Sequence, residues 1–205
     1  LDLSAASFTL DTNDISLSVD VGAGNDSVIL SAGNDSVYGG DGNDTFIGGA
    51  GADTLNGGNG NDMVSYADIT SSSSQGLTNI AGVAINLSGA AITQATAASA
   101  MSTYLGDSVK FGDSTTSLAN GTVAYWIASG ASTSASYARD TLTSIEYATG
   151  SALDDYIAGS SGADWLDGGA GNDYIQGNGG ADTLYGNDGN DYILLGSNAA
   201  TVYGG

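Results

Sequence analysis

The sequence predicts an all-β fold, a solenoid of short stacked strands. Three observations predict it. A nine-residue period runs through two stretches of the chain, residues 21–65 and 150–203. The eighth residue of each unit is apolar: Val28, Val37, Phe46, Leu55 and Val64, then Ile157, Leu166, Ile175, Leu184, Ile193 and Val202. The sixth is aspartate in ten units: Asp26, Asp35, Asp44, Asp53 and Asp62, then Asp155, Asp164, Asp173, Asp182 and Asp191. In a strand, neighbouring side chains point to opposite faces, so the eighth residue points inward while the seventh and ninth point out. One inward side chain per strand makes a thin core that needs a second source of cohesion.

Composition narrows the chemistry. The 205 residues carry 23 acids against two bases, Lys110 and Arg139, and contain 33 Gly but no Pro, Cys or His. Glu146 is the only glutamate. A net charge of −21 excludes nucleic acid as a partner. Without His or Cys there is no Ser-His-Asp triad, ordinary zinc site, haem or iron–sulfur cluster. No phosphate-binding P-loop or nucleophile elbow is present, and no pair of carboxyls is marked as a glycosidase pair. The expectation is a protein that is not an enzyme, with no catalytic residues. No apolar run is long enough to span a membrane.

Units such as GGDGNDTFI (39–47), GGAGADTLN (48–56), GGNGNDMVS (57–65) and GGAGNDYIQ (168–176) resemble the RTX (repeats-in-toxin) nonapeptide family. The resemblance implies a parallel β-roll, a right-handed β-solenoid. Six residues of each unit make a turn, three make a strand, and two units make one 18-residue coil. It also implies a bacterial protein exported by type I secretion, unfolded in the low calcium of the cell and folded outside it.

The elements follow in order. Residues 1–20 keep the rhythm without aspartate. Leu10 and Val19 take the eighth position and Phe8 and Leu17 the sixth, as in coils with apolar turns. Residues 21–65 form the first array. Residues 66–149 are an insertion whose borders, MVSYAD (63–68), GVAINLSG (82–89) and RDTLTSIEYATGS (139–151), look like the linker between RTX blocks and continue the solenoid with longer loops. Within it SSSSQG (71–76) reads as a flexible loop and residues 92–105 as a short helix. VKFGD (109–113) and TVAYWIAS (122–129) read as a strand hairpin. Residues 150–205 form the second array. The chain lacks a starting Met and ends on Gly204-Gly205, which reads as the start of a further repeat and so as a piece of a longer protein. Outside the second array stand Tyr156, Tyr174 and Tyr192 in one row and Tyr185 with Tyr203 in another. Such rows stabilise a sheet or meet a sugar polymer or a protein.

The cohesion points to calcium. In 18-residue coils the carboxylates stack as 26/44, 44/62, 35/53, 155/173, 173/191 and 164/182, about 4.8 Å apart, where they repel. Ca²⁺ takes six to eight oxygens from carboxylates and carbonyls. Mg²⁺, which demands near-octahedral geometry, fits less well. The ligands are the ten aspartates, with turn carbonyls near Gly22, Gly24, Gly40, Gly42, Gly49, Gly51, Gly58, Gly60, Gly162, Gly169, Gly171, Gly179, Gly180 and Gly189. Aspartate suits an ion held tightly against the backbone better than the longer glutamate. The pairs give about six to eight ions, and six would reduce the charge to −9. The functional expectation is a calcium-folded structural protein of the bacterial cell surface or extracellular space that assembles with its own copies as an S-layer, filament, matrix or adhesin stalk. The alternatives are a calcium-binding module of a larger secreted hydrolase or toxin, and a module binding surface polysaccharide.

Overall fold

The structure, a computed structural model, describes residues 7–9, 16–70, 80–101, 109–111, 117–119, 121–128 and 139–205. The loop at 71–76 and the side chain of Lys110 lie outside these.

Two sheets face each other and the chain winds between them. The eight-stranded sheet is parallel throughout. Its order is Ser7–Thr9, Ser27–Ile29, Thr45–Ile47, Met63–Ser65, Tyr147–Thr149, Trp165–Ala170, Thr183–Asp188 and Tyr203's strand, Thr201–Tyr203. The opposite sheet runs Ser18–Ala23, Ser36–Asp41, Thr54–Asn59, Asp140–Thr143, Thr122–Ala128, Ile80–Asn86, Tyr156–Ala158, Tyr174–Gln176 and Tyr192–Leu194. In the arrays the register advances by 18 residues, as in Val37↔Leu55 and Ile157↔Ile175. Several strands exceed the three residues expected, since pairing continues through the glycines to Gly40↔Gly58 and Asp41↔Asn59.

The eighth-position column fills the space between the sheets. Phe46, Leu55, Val64, Ile157, Leu166, Ile175 and Leu184 are fully buried in one cluster. At roughly 25 cal/mol per Å², this burial drives the collapse, yet each coil contributes only two such side chains.

The insertion is accommodated mainly in one sheet. On the eight-stranded side Met63–Ser65 pairs directly with Tyr147–Thr149. On the other side Asp140–Thr143 takes the next place beside Thr54–Asn59, and two further strands follow before the second array. Thr122–Ala128 is antiparallel to both neighbours, and Ile80–Asn86 runs parallel to Tyr156–Ala158. The expected hairpin is present, with Val109–Phe111 antiparallel to Trp126–Ala128. The expected helix begins two residues later than its sequence stretch, whose residues 102–105 lie outside the described residues. Ile92–Thr93 is a strand, and the helix spans Gln94–Ala100.

The helix corrects one reading of the surface. Tyr156, Tyr174 and Tyr192 do stack, with ring centroids 5.2 Å apart at each step. Tyr156 and Tyr174 are nevertheless buried, packed with Ala97 and Met101 of the insertion and with Ala84 and Ala124. The small alanines let the helix lie close. Tyr156 and Tyr174 are thus an internal seam, and Tyr192 continues it half-buried.

The lead-in also differs from its expected frame. Val19 pairs with Val37 as expected, but Phe8, not Leu10, is the partner of Val28. The first coil is therefore two residues longer. No glycine lies in residues 10–17, of which 10–15 lie outside the described residues.

Core and surface of one strand should respond differently. Phe46→Ala should lower the stability of the calcium-loaded protein by about 3–5 kcal/mol. Thr45→Ala, which removes an outward side chain, should stay within about 0.5 kcal/mol. Denaturant midpoints in saturating calcium measure both.

Candidate metal centre

The turns align the acids into two ladders along the edges of the roll. The Oδ1 of each ladder aspartate accepts a hydrogen bond from the N–H of the aspartate one coil earlier. Asp26 donates to Asp44 at 2.9 Å, Asp35 to Asp53 at 2.9 Å and Asp44 to Asp62 at 2.8 Å. In the second array Asp155 donates to Asp173 at 2.8 Å, Asp164 to Asp182 at 3.2 Å and Asp173 to Asp191 at 3.0 Å. All six of the stacked pairs expected from the sequence are therefore neighbours.

The second oxygen carries the argument for a metal. The Oδ2 atoms of Asp35, Asp44, Asp53, Asp62, Asp173 and Asp182 are buried without a hydrogen-bond partner. A buried, unpaired carboxylate oxygen is costly. Except for Asp35, whose repeat opens on Leu30, each Oδ2 lies against the first glycine of its own repeat. A Cβ added to Gly39 would collide with Asp44 Oδ2 and the Gly57 carbonyl, and one on Gly186 with Asp191 Oδ2 and the Gly204 carbonyl. Carboxylate and carbonyl oxygens thus converge on a space that only glycine leaves open. The second-position glycines stack their backbones closely too. Gly40, at φ 111°, admits no Cβ because the Gly22 carbonyl lies beneath it. Among the described residues no three carboxylates gather at one point. An ion here would take carboxylates from two coils and backbone carbonyls for the rest, an all-oxygen shell that suits Ca²⁺.

Not all ten aspartates are alike. Asp155 and Asp164 open the second array, where serine replaces the second glycine. Ser151 donates its N–H to Asp155 Oδ2 at 2.5 Å and its hydroxyl to Oδ1 at 2.8 Å. Ser160 does the same for Asp164, at 2.7 and 2.9 Å. Asp155 Oδ1 also accepts the Val83 N–H at 2.6 Å, which ties the ladder to strand Ile80–Asn86.

Sequence reading missed two ladder members. Asp53 donates its N–H to Asp140 Oδ1 at 3.0 Å, and Asp62 donates to Glu146 Oε2 at 3.0 Å. Both acids stand two residues before an inward apolar residue, Leu142 and Ala148, as the ladder aspartates do. Asp140 is further held by the Tyr66 hydroxyl, which donates to its Oδ2 at 2.5 Å. A second, outer ladder runs through the fifth position. Asn25 Oδ1 accepts from Asn43 N–H at 2.9 Å, Asn43 from Asn61 at 3.0 Å and Asn172 from Asn190 at 3.0 Å. Of the two cations, Arg139 donates to the Ser117 carbonyl at 2.6 Å.

Burial and neighbouring charge raise the carboxyls. Desolvation, then the charge of Asp140, pushes Asp53 up to about 8. Desolvation pushes Asp62, Asp140 and Asp164 up to about 6. Asp155 and Asp173 are raised too, both chiefly by desolvation, with the charge of Asp155 adding to the rise at Asp173.

Among known families, the RTX calcium-binding nonapeptide repeat matches this chain in four copies, over residues 18–46, 31–64, 149–184 and 170–202. No curated protein matches it. The two arrays are thus RTX repeats, and the chain is a calcium-binding β-roll.

The raised carboxyls fix the sign of the pH response. A group whose folded pKa lies above its unfolded value favours the fold below the unfolded value and loses that contribution as pH rises. In chelator, far-UV β-sheet signal should therefore rise as pH falls from about 8 toward 3.8. In saturating calcium the fold should already be complete at pH 7, with acid displacing the ion. A chelated protein with full β-signal at pH 8 would contradict this.

Proposed function

We propose that this chain, which belongs to the RTX calcium-binding nonapeptide repeat family, is a calcium-folded structural rod that assembles with copies of itself outside the cell. The family is typically extracellular, and no helix among the described residues is long and apolar enough to cross a membrane. The observation that carries the reading is the row of buried carboxylate oxygens without partners. They make the fold conditional on the metal, which suits a protein exported unfolded by type I secretion and shaped by external calcium. Its place on the bacterial surface, as S-layer, filament, matrix or adhesin stalk, follows from that conditional rod shape.

A non-enzymatic role is part of the proposal. The sixth-position aspartates, with Asp140 and Glu146, are engaged in the ladders. Self-assembly draws support from the last coil, where Leu194, Leu195, Val202 and Tyr203 are 38–50% exposed. Another copy stacked on this coil would cover them. A chain that stays monomeric in calcium would fit the alternative of a module in a larger secreted hydrolase or toxin.

A polysaccharide partner draws less support. On the outside of the eight-stranded sheet, Tyr147, Trp165, Tyr185 and Tyr203 form a continuous file, with centroids 6.1, 5.2 and 4.6 Å apart. Tyr185 and Tyr203 lie 9° from parallel and cover one face of each other, while Tyr147, Trp165 and Tyr185 are tilted by 52° and 51° and so make no single flat platform. Sugars stack on faces.

Electron microscopy with light scattering, with and without millimolar calcium, tests the proposal. Ordered filaments or sheets are expected with calcium only. A monodisperse monomer at high concentration in calcium would refute self-assembly and favour the module.

A further inference from the structure

We propose that Glu146 is a calcium ligand, in an additional site that joins the first array to the chain leaving the insertion. The inference rests on the calcium reading above and extends it beyond the repeats. Residues 65–148 lie outside the segments that match the nonapeptide family.

Four observations carry it. Asp62 is wholly buried and its Oδ2 has no hydrogen-bond partner. Its N–H donates to Glu146 Oε2 at 3.0 Å, the bond that each ladder aspartate receives from the coil before. The backbone register is kept as well, since Tyr147 N–H donates to the Asp62 carbonyl at 2.9 Å just as Met63 N–H donates to that of Asp44 at 2.8 Å. Finally, a Cβ on Gly57 would collide with both Asp62 Oδ2 and the Ser144 carbonyl. At Gly39 the same two places are held by Asp44 Oδ2 and the Gly57 carbonyl. Ser144 therefore supplies the backbone oxygen that a glycine supplies in the repeats, and Glu146 stands where the next aspartate would.

The glutamate has a reason to be here. Ladder acids are nine residues apart in the repeats, but Asp140 and Glu146 are only six apart. The turn between them has lost its Gly-Gly-x-Gly backbone, and Ser144 at φ 50° makes the reversal in its place. One more methylene lets the carboxylate reach back to Asp62. Beside it opens a cleft of about 470 Å³, lined by Leu87, Gly121, Ser144, Ile145, Glu146 and Ser160. It gives an ion a path from solvent, and water from it can fill coordination places that the short turn cannot. The donors are all oxygens, which selects a hard cation of calcium's kind.

The test is calcium stoichiometry of the whole chain by native mass spectrometry and titration calorimetry. Glu146→Gln keeps the length and the acceptor for Asp62 N–H but removes the charge. It should bind one ion fewer than the wild type, with the same β-sheet signal in saturating calcium. An unchanged count and affinity would overturn the proposal. If the variant does not fold, calcium-loaded wild-type crystals decide. An anomalous peak within coordination distance of Asp62, Ser144 and Glu146 supports the site, and its absence while the 26/44 and 44/62 pairs hold ions overturns it. A wild type that binds no calcium at all would instead overturn the broader reading.

Discussion

Each coil sets an aspartate over the aspartate of the coil before, ties one oxygen to a backbone N–H and turns the other inward. Without a cation this is an unstable arrangement, because like charges stack in a region from which water is excluded. With one, the same oxygens become ligands. The rest of the roll depends on this. The glycines are required because the carboxylate and the neighbouring coil's carbonyl occupy the room a Cβ would take. The thin core is sufficient because coils are joined along both edges as well as through the middle.

The insertion shows how firmly the edges govern the stack. It adds one strand, Tyr147–Thr149, to one sheet and four, Ile80–Asn86, Val109–Phe111, Thr122–Ala128 and Asp140–Thr143, to the other. A solenoid whose sheets differ in strand number must open somewhere, and it opens at the cleft between the turn at Ser144–Glu146 and the turn at Ser160. Despite this, the acid ladders do not stop at the insertion. Asp140 and Glu146 carry them into it, so the first array is bonded to the last part of the insertion much as it is bonded within itself.

Most of the fold was legible because the repeat writes the same turn many times. The sixth and eighth columns identified the ladder and the core, and the spacing of 18 identified which acids would be neighbours. What escaped the sequence escaped for physical reasons. Glu146 follows Asp140 by six residues, so no nine-residue frame contains both. Phe8, not Leu10, is the partner of Val28, and residues 10–17 contain no glycine that would have marked a turn in the sequence. The covering of Tyr156 and Tyr174 depends on a helix more than 50 residues away in sequence, a contact that periodicity does not encode. Ser151 and Ser160 were visible as departures from glycine, but their hydrogen bonds to Asp155 and Asp164 needed the geometry of the turn.

Those serines give the molecule a beginning. A one-dimensional stack gains stability only as neighbours join, so the first coils are the hardest to form. Asp155 and Asp164 are satisfied by hydroxyl and amide groups a few residues away, and Asp140 by Tyr66, all without a metal. These turns lie near the middle of the stack, where the two arrays meet. The roll thus contains coils whose acids are satisfied by local chemistry, with coils on either side whose buried carboxylate oxygens are not. A one-dimensional stack built this way would be least dependent on calcium at its centre.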